Sequence, residues 1–205
     1  MKTNIKKFKD NKYVFVPDAV DTNIINFVTQ YALFDEMQDF NVDPQVPKAH
    51  SKYGDPAMEA MLLLLHPIIE KHTGLELHPT YSYHRVYRNG DELGHHKDRN
   101  ACEISVTVAF NYSYDDSKYQ WPIYIDGNPI TMKPGDIAIY RGIELDHWRE
   151  PFNYPEDAWQ VQAFLHYVDA NGPHANLKYD ERNFIGEIIK PANITKNKSY
   201  IQYTK

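Results

Sequence analysis

Across residues 77–168 the side chains alternate with a period of two, and this constrains the fold more than any other feature of the sequence. Over 80–88, Tyr81, Tyr83, Arg85 and Tyr87 fall on one side, and Ser82, His84, Val86 and Arg88 on the other. Over 103–112, Ser105, Thr107 and Ala109 oppose Ile104, Val106, Val108 and Phe110. Residues 121–125 and 130–132 flank Asp126-Gly127-Asn128-Pro129, a hairpin whose turn is set by Gly and Asn. Lys133-Pro134-Gly135-Asp136 is a second tight turn, and 137–140 and 159–168 complete the strands.

The preceding residues read differently. A short strand is expected over 12–17. Asp21 caps a helix reaching about Phe34, with Ile24, Ile25, Phe27, Val28 and Tyr31 as its apolar stripe. Asp55-Pro56 starts a second helix, with Met58, Met61, Leu62, Leu65 and Ile69 on one face. Pro67 is expected to kink it and Gly74 to end it. Residues 37–54 hold Pro44, Pro47 and Gly54 and read as a loop. Helices first and short strands after predict a mainly β fold, an all-β barrel or sandwich buttressed by two N-terminal α-helices. The length suits a single domain: strand–helix support over 1–78, a barrel core over 79–169 and an extension over 170–205. In that extension 185–189 is a candidate strand.

Charge and cysteine usage narrow the function. The net charge is −6, without the concentrated Lys/Arg footprint that a phosphate backbone requires. Lys2, Lys6, Lys7, Lys9 and Lys12 read as a solvated, frayed end. One cysteine, Cys102, excludes an intramolecular disulfide and fits a reducing cytosol. No apolar run is long enough to span a bilayer, and the N-terminus carries no signal-peptide core. The expectation is a cytoplasmic protein with neither nucleic acid nor membrane as partner. No feature speaks to the oligomeric state.

The chemistry gathers at His96-x-Asp98. In extended backbone these side chains share a face, so both can reach one metal ion. His95 has the wrong phase for this. His147, 51 residues on, is the candidate third ligand. Two histidines and one carboxylate, with positions left open, form the ligand set of non-haem Fe(II) oxygenases. With ten histidines in the chain, a chance His-x-Asp remains the plain alternative. Gln160 and Gln162 share a face of the last strand, where buried polar groups need partners.

Taken together, Tyr87-x-x-Gly90, His96-x-Asp98, Ile130-Thr-Met-Lys133-Pro134-Gly135-Asp136, His147 and the closing Phe164-Leu-His-Tyr167 resemble the catalytic barrel of the 2-oxoglutarate- and Fe(II)-dependent dioxygenases, in their prolyl 4-hydroxylase-like branch. The resemblance covers residues 80–168. It implies a double-stranded β-helix (a jelly-roll or cupin-like barrel), with His96, Asp98 and His147 binding Fe(II). It implies 2-oxoglutarate and O2 as co-substrates, with ascorbate as a possible reductant. It further implies hydroxylation of an amino-acid residue, peptidyl proline first, with release of succinate and CO2, and so a peptide or protein partner. Tyr87 matches the position whose hydroxyl approaches the co-substrate. The family's basic residue on the closing strand is absent: Ala158 and Gln160 stand nearest. A buried carboxylate needs a cation. Arg149, in phase with His147, is the first choice, Arg85 the second, and Gln160 an assisting hydrogen bonder; a surface Arg149–Glu150 pair is the plain alternative. Two rival functions are a metal-dependent hydrolase or isomerase holding Zn²⁺ on the same three ligands, and a non-catalytic binding module.

Overall fold

The structure, a computed structural model, describes residues 2–154 and 157–187. Its elements are α1 (Lys2–Asn11), β1 (Tyr13–Val16), α2 (Thr22–Gln38), β2 (His50–Tyr53), α3 (Pro56–Thr73), β3 (Leu77–Arg88), β4 (Leu93–His96), β5 (Ile104–Tyr112), β6 (Ile123–Ile125), β7 (Asn128–Ile130), β8 (Ile137–Tyr140), β9 (His147–Arg149) and β10 (Trp159–Asp169). The strands form two antiparallel sheets. The larger runs β1-β8-β5-β10-β3-β2 and the smaller β4-β9-β6-β7. They enclose the site between them in a jelly-roll arrangement, the double-stranded β-helix that the strand pattern and resemblance lead one to expect.

The period-two pattern explains which face of the large sheet goes where. Val86, Val106, Val108, Phe110, Val161 and Leu165 bury one face against Ile25 and Val28 of α2 and Leu62, Leu65 and Ile69 of α3. The opposite face is also buried but polar, with Arg85, Ser105, Thr107, Gln160, Gln162 and His166 all below a tenth exposed. A buried polar face is costly unless it has work to do.

Both long helices start as expected and α3 stops as expected, while α2 runs on to Gln38, past the expected end at about Phe34. Asp21 accepts from the Asn23 amide and Asp55 from the Ala57 amide, while Gly74 closes α3 with a left-handed φ of 75°. Pro67 sits inside α3, which is assigned helical throughout.

Three expectations change. The lysine-rich N-terminus is the helix α1, because Phe8 anchors it in the core at 2% exposure. The support therefore has three α-helices. The segment 37–54 is not all loop: its end is β2, paired with β3 from His50↔Val86 to Tyr53↔Tyr83. In the expected strand over 185–189, Ile185 and Gly186 form a turn, and 188–189 lie outside the described residues. No helix among the described residues is long and apolar enough to cross a membrane.

Candidate metal centre

β4 and β9 bring the two histidines together, because His96 and His147 are directly opposed in the antiparallel register. Both are buried, at 5% and 2% exposure. His96 Nδ1 bonds to the Gly94 carbonyl at 2.9 Å and His147 Nδ1 to the Leu145 carbonyl at 3.0 Å. A carbonyl only accepts, so each Nδ1 carries the proton and each Nε2 keeps its lone pair. Asp98 is hung beside them by its amide, which donates to the Gly142 carbonyl at 2.9 Å. Its Oδ1 lies 3.7 Å from His96 Nε2 and 3.5 Å from His147 Nε2. These gaps are long for hydrogen bonds. They suit three atoms ringing one ion about 2.1 Å from each.

The electrostatics agree with that ligand set. Burial, helped by nearby His147, lowers the His96 pKa to about 4, so the ring is neutral at pH 7. Burial opposes ionisation of Asp98, but His147 beside it holds its carboxyl well below the usual range. Burial also opposes a charge on His147, and the Asp98 carboxylate outweighs it and raises that pKa. The three side chains thus form a net-anionic cradle when both rings are neutral.

The second oxygen of Asp98 is already held. Ser105 Oγ donates to Oδ2 at 2.6 Å, and His166 Nδ1 lies 3.0 Å from that hydroxyl. This leaves Oδ1 as the ligand atom. Gly142 packs against the same group: a Cβ there would collide with Asp98 Oδ2, Ser105 Oγ and the Cys102 carbonyl. Gly142→Ala should therefore tilt Asp98 and lower Fe(II) affinity at least about tenfold, the usual cost of disturbing a ligand's support. Metal titration checks this, and unchanged affinity would mean that Asp98 has slack.

The three ligand atoms open onto a cavity of about 580 Å³, walled by Tyr81, Tyr83 and Arg85 from β3, Phe164 and His166 from β10, and Ile123 from β6. One wall is neutralised from within. Asp43, from the 37–54 segment, pairs with Arg85 Nε at 2.5 Å and accepts from the Tyr83 hydroxyl at 3.1 Å. At the mouth, Arg99 grips Asp180 through two bonds of 2.6 Å. Tyr179, Asp180 and Glu181 all have positive φ, so these bonds hold a strained segment, at a cost of about 1 kcal/mol per residue.

Burial alone would raise the Asp180 pKa, but Arg99 beside it holds the carboxyl below the usual range. Its stabilising effect is present above an ordinary carboxylate pKa of about 4 and is lost as pH falls through the depressed native value. Asp180→Asn should flatten the loss of thermal stability below about pH 4. Parallel acid limbs for the two proteins would show that the pair contributes nothing.

Tyr87, Arg149 and Gln160 do not line this cavity and are all buried. The Tyr87 hydroxyl accepts from Arg85 Nη1 at 2.7 Å. Gln160 Oε1 accepts from the Tyr114 hydroxyl at 2.6 Å. Arg149 is 1% exposed; its guanidinium lies over the Trp121 ring at 4.6 Å and donates to the Trp121 carbonyl at 2.6 Å. The surface pair Arg149–Glu150 does not form: Glu150 Oε1 instead accepts from Trp148 Nε1. Among the described residues Arg85, Arg88, Arg99, Arg141 and Arg182 all pair with carboxylates, whereas Arg149 has none within 4.0 Å and its Nε lacks a partner. Gln162, 0% exposed, has neither amide atom bonded.

Sequence reasoning missed Gly142 and Asp43, neither of which belongs to a motif. Two further clusters of potential ligands occur among the described residues. Asp98–Cys102–His166 shares Asp98 with the centre above, and Asp35–His50–His84 lies on the helix side of the large sheet. The latter is poorly suited to a metal. Lys52 Nζ sits 2.6 Å from Asp35, and the Asn41 amide donates to His50 Nδ1, which leaves the proton on Nε2.

No protein-family model matches the sequence, and no curated protein matches it. Solved structures do match the fold. A prolyl hydroxylase from Trichoplax adhaerens, in complex with a hypoxia inducible factor oxygen degradation domain peptide fragment, superposes with a TM-score of 0.65 at 11% identity, covering 89% of this chain and 92% of that one. SnoN, a non-haem alpha-ketoglutarate-dependent epimerase of nogalamycin biosynthesis, gives 0.66 at 12% identity over 82% of this chain and 83% of its own. HygX from Streptomyces hygroscopicus, with nickel and 2-oxoglutarate bound, gives 0.60 at 11% identity over 83% and 88%. At these identities the likeness is one of fold, and the shared fold is that of 2-oxoglutarate-dependent non-haem iron enzymes.

Proposed function

We propose that this chain is an Fe(II)- and 2-oxoglutarate-dependent dioxygenase that hydroxylates an amino-acid residue, with peptidyl proline the first candidate. The observation that carries the reading is the convergence of His96 Nε2, Asp98 Oδ1 and His147 Nε2 on one point at a cavity wall. Two neutral imidazoles and one carboxylate suit Fe(II) with positions left open. The fold neighbours point the same way: one holds nickel with 2-oxoglutarate and another a peptide fragment. Fe(II) bound there would supply the oxidising chemistry, in which O2 and 2-oxoglutarate give succinate, CO2 and a hydroxylated C–H bond.

The chain's own residues then have defined tasks. The Gly94 and Leu145 carbonyls fix the tautomers, so both rings present lone pairs without rearrangement. Ser105 fixes Asp98, so a single oxygen faces the ion. Arg149 is assigned the distal carboxylate of 2-oxoglutarate. Among the described residues it is the buried guanidinium without a counter-ion, and a carboxylate can accept two of its N–H groups. Arg85 is the weaker choice because Asp43 already neutralises it. Gln162 has an amide without a partner among the described residues, and the Tyr87 hydroxyl, which accepts from Arg85, is assigned the approach to the co-substrate. Burial of the whole group excludes water and strengthens each of these interactions.

The test is a spectrum and a product. Anaerobic Fe(II) protein should gain a visible charge-transfer band on addition of 2-oxoglutarate, and admitting air with ascorbate and proline-containing peptides should yield succinate. Absence of the band would reject the oxygenase. A protein that retains Zn²⁺ in preference to Fe(II) would favour the hydrolase rival.

A further inference from the structure

α2 is apolar on two faces. Ile25, Val28, Thr29 and Ala32 are buried against the sheet. Ile24, Phe27, Tyr31 and Phe34, spaced by three and four, form a second line along the helix. Along that line Ile24 and Tyr31 are partly buried against the core, while Phe27 is 67% and Phe34 61% exposed, and beyond it Met37 is 76%, Phe40 53% and Val42 67% exposed. The last two are tied to the end of α2. Phe40 lies 5.8 Å from the His50 ring, Val42 pairs with His50, and His50 bonds to Asp35. Single exposed apolar residues are ordinary, but five such residues between positions 27 and 42, on and just after one helix, are not.

The strip runs into the cavity. Tyr31 belongs to both, since it lines the cavity, where its hydroxyl donates to Asp55 at 2.6 Å, and Val42, Asn41 and Pro44 line the same rim. From Phe27 to Phe34 alone the helix rises about 10 Å. A free amino acid held beside the metal ligands would touch none of it. A second copy of this chain seated on the strip would cover the mouth through which substrate enters. The occupant that uses both features is one continuous chain.

We propose that this strip docks an apolar, amphipathic segment of a polypeptide substrate whose reacting residue enters the cavity past Tyr31 and Val42. This places part of the recognition of a polypeptide substrate outside the cavity, on α2 and the segment after it, and it rests on the proposed dioxygenase for the reacting end. The mode is a side-chain stripe laid against a complementary stripe, with binding energy gathered away from the reacting atom.

The test uses the full chain and the double variant Phe27→Asp with Phe34→Asp, both solvent-facing positions. A display library of random peptides long enough to span the strip is selected on the wild-type protein loaded with Mn(II) and 2-oxoglutarate. Selected peptides should carry regularly spaced apolar residues and bind the double variant at least about tenfold more weakly, or about 1.4 kcal/mol. The charge-transfer band of the Fe(II)–2-oxoglutarate form should be equal in the two proteins. Equal peptide binding to both, or selection of no peptide, overturns the docking proposal while an intact band leaves the oxygenase standing. Self-association of the wild type that the double variant abolishes assigns the strip to a second copy and also overturns it. A missing band in both proteins strikes the oxygenase reading instead.

Discussion

Replacing His147 with alanine should leave a folded protein that no longer holds Fe(II). Disturbing even the support of a ligand lowers metal affinity about 10–100-fold, so loss of one of three ligands should exceed about 100-fold. Succinate formation should fall to the level of the metal-free blank. The substitution also removes ring packing against Tyr140, whose centroid lies 4.8 Å away, so circular dichroism must accompany the metal titration. His95→Ala is the matched control. That ring stacks on Trp148 at 3.8 Å and bonds to Asp146 at the surface, and its loss should leave Fe(II) affinity unchanged. If His147→Ala binds Fe(II) as the wild type does, the metal centre is elsewhere and the functional reading falls with it.

Arg149→Met should separate co-substrate binding from stability in opposite directions. A buried charge-assisted pair that loses one partner costs about 3–5 kcal/mol, so 2-oxoglutarate affinity should drop by about 100-fold or more. Fe(II) affinity should not change. Without 2-oxoglutarate the wild-type guanidinium has no counter-ion among the described residues, and an apolar side chain of similar length removes a desolvated charge. The ligand-free variant should therefore unfold at the same temperature as the wild type or higher. Arg85→Met should do the reverse: it strands the buried Asp43 carboxylate, so thermal stability falls whether or not 2-oxoglutarate is present. Calorimetric titration of 2-oxoglutarate and thermal unfolding of both variants decide the assignment. Undiminished affinity in Arg149→Met would move the anchor elsewhere.

What the sequence disclosed, and what it withheld, follows the range of the interactions. The alternation in β3, β5 and β10 was readable because one face of each strand is apolar and packs on helices. The candidate ligands His96, Asp98 and His147 were readable because phase and spacing are local properties. Short or polar elements were not. β2 is His50-Ser-Lys-Tyr, whose buried positions are His50 and Ser51, so its burial leaves no apolar alternation to find. β4 and β9 have four and three residues, too few to display a period, though they hold both candidate ligand histidines. α1 is lysine-rich and depends on packing around Phe8. Phase with His147 favoured Arg149 over Arg85 in the sequence, but the pairing that sets the two apart was not legible there. It depends on Asp43 arriving from 42 positions upstream of Arg85.

That arrival also gives the interior a polarity. Two bare guanidiniums would let a linear dicarboxylate settle either end first. With Arg85 matched by Asp43, Arg149 is the buried guanidinium left without a carboxylate among the described residues, so under the proposed assignment a dianion would meet an unmatched cation at one end and the candidate metal ligands at the other, and head would differ from tail before any reaction began.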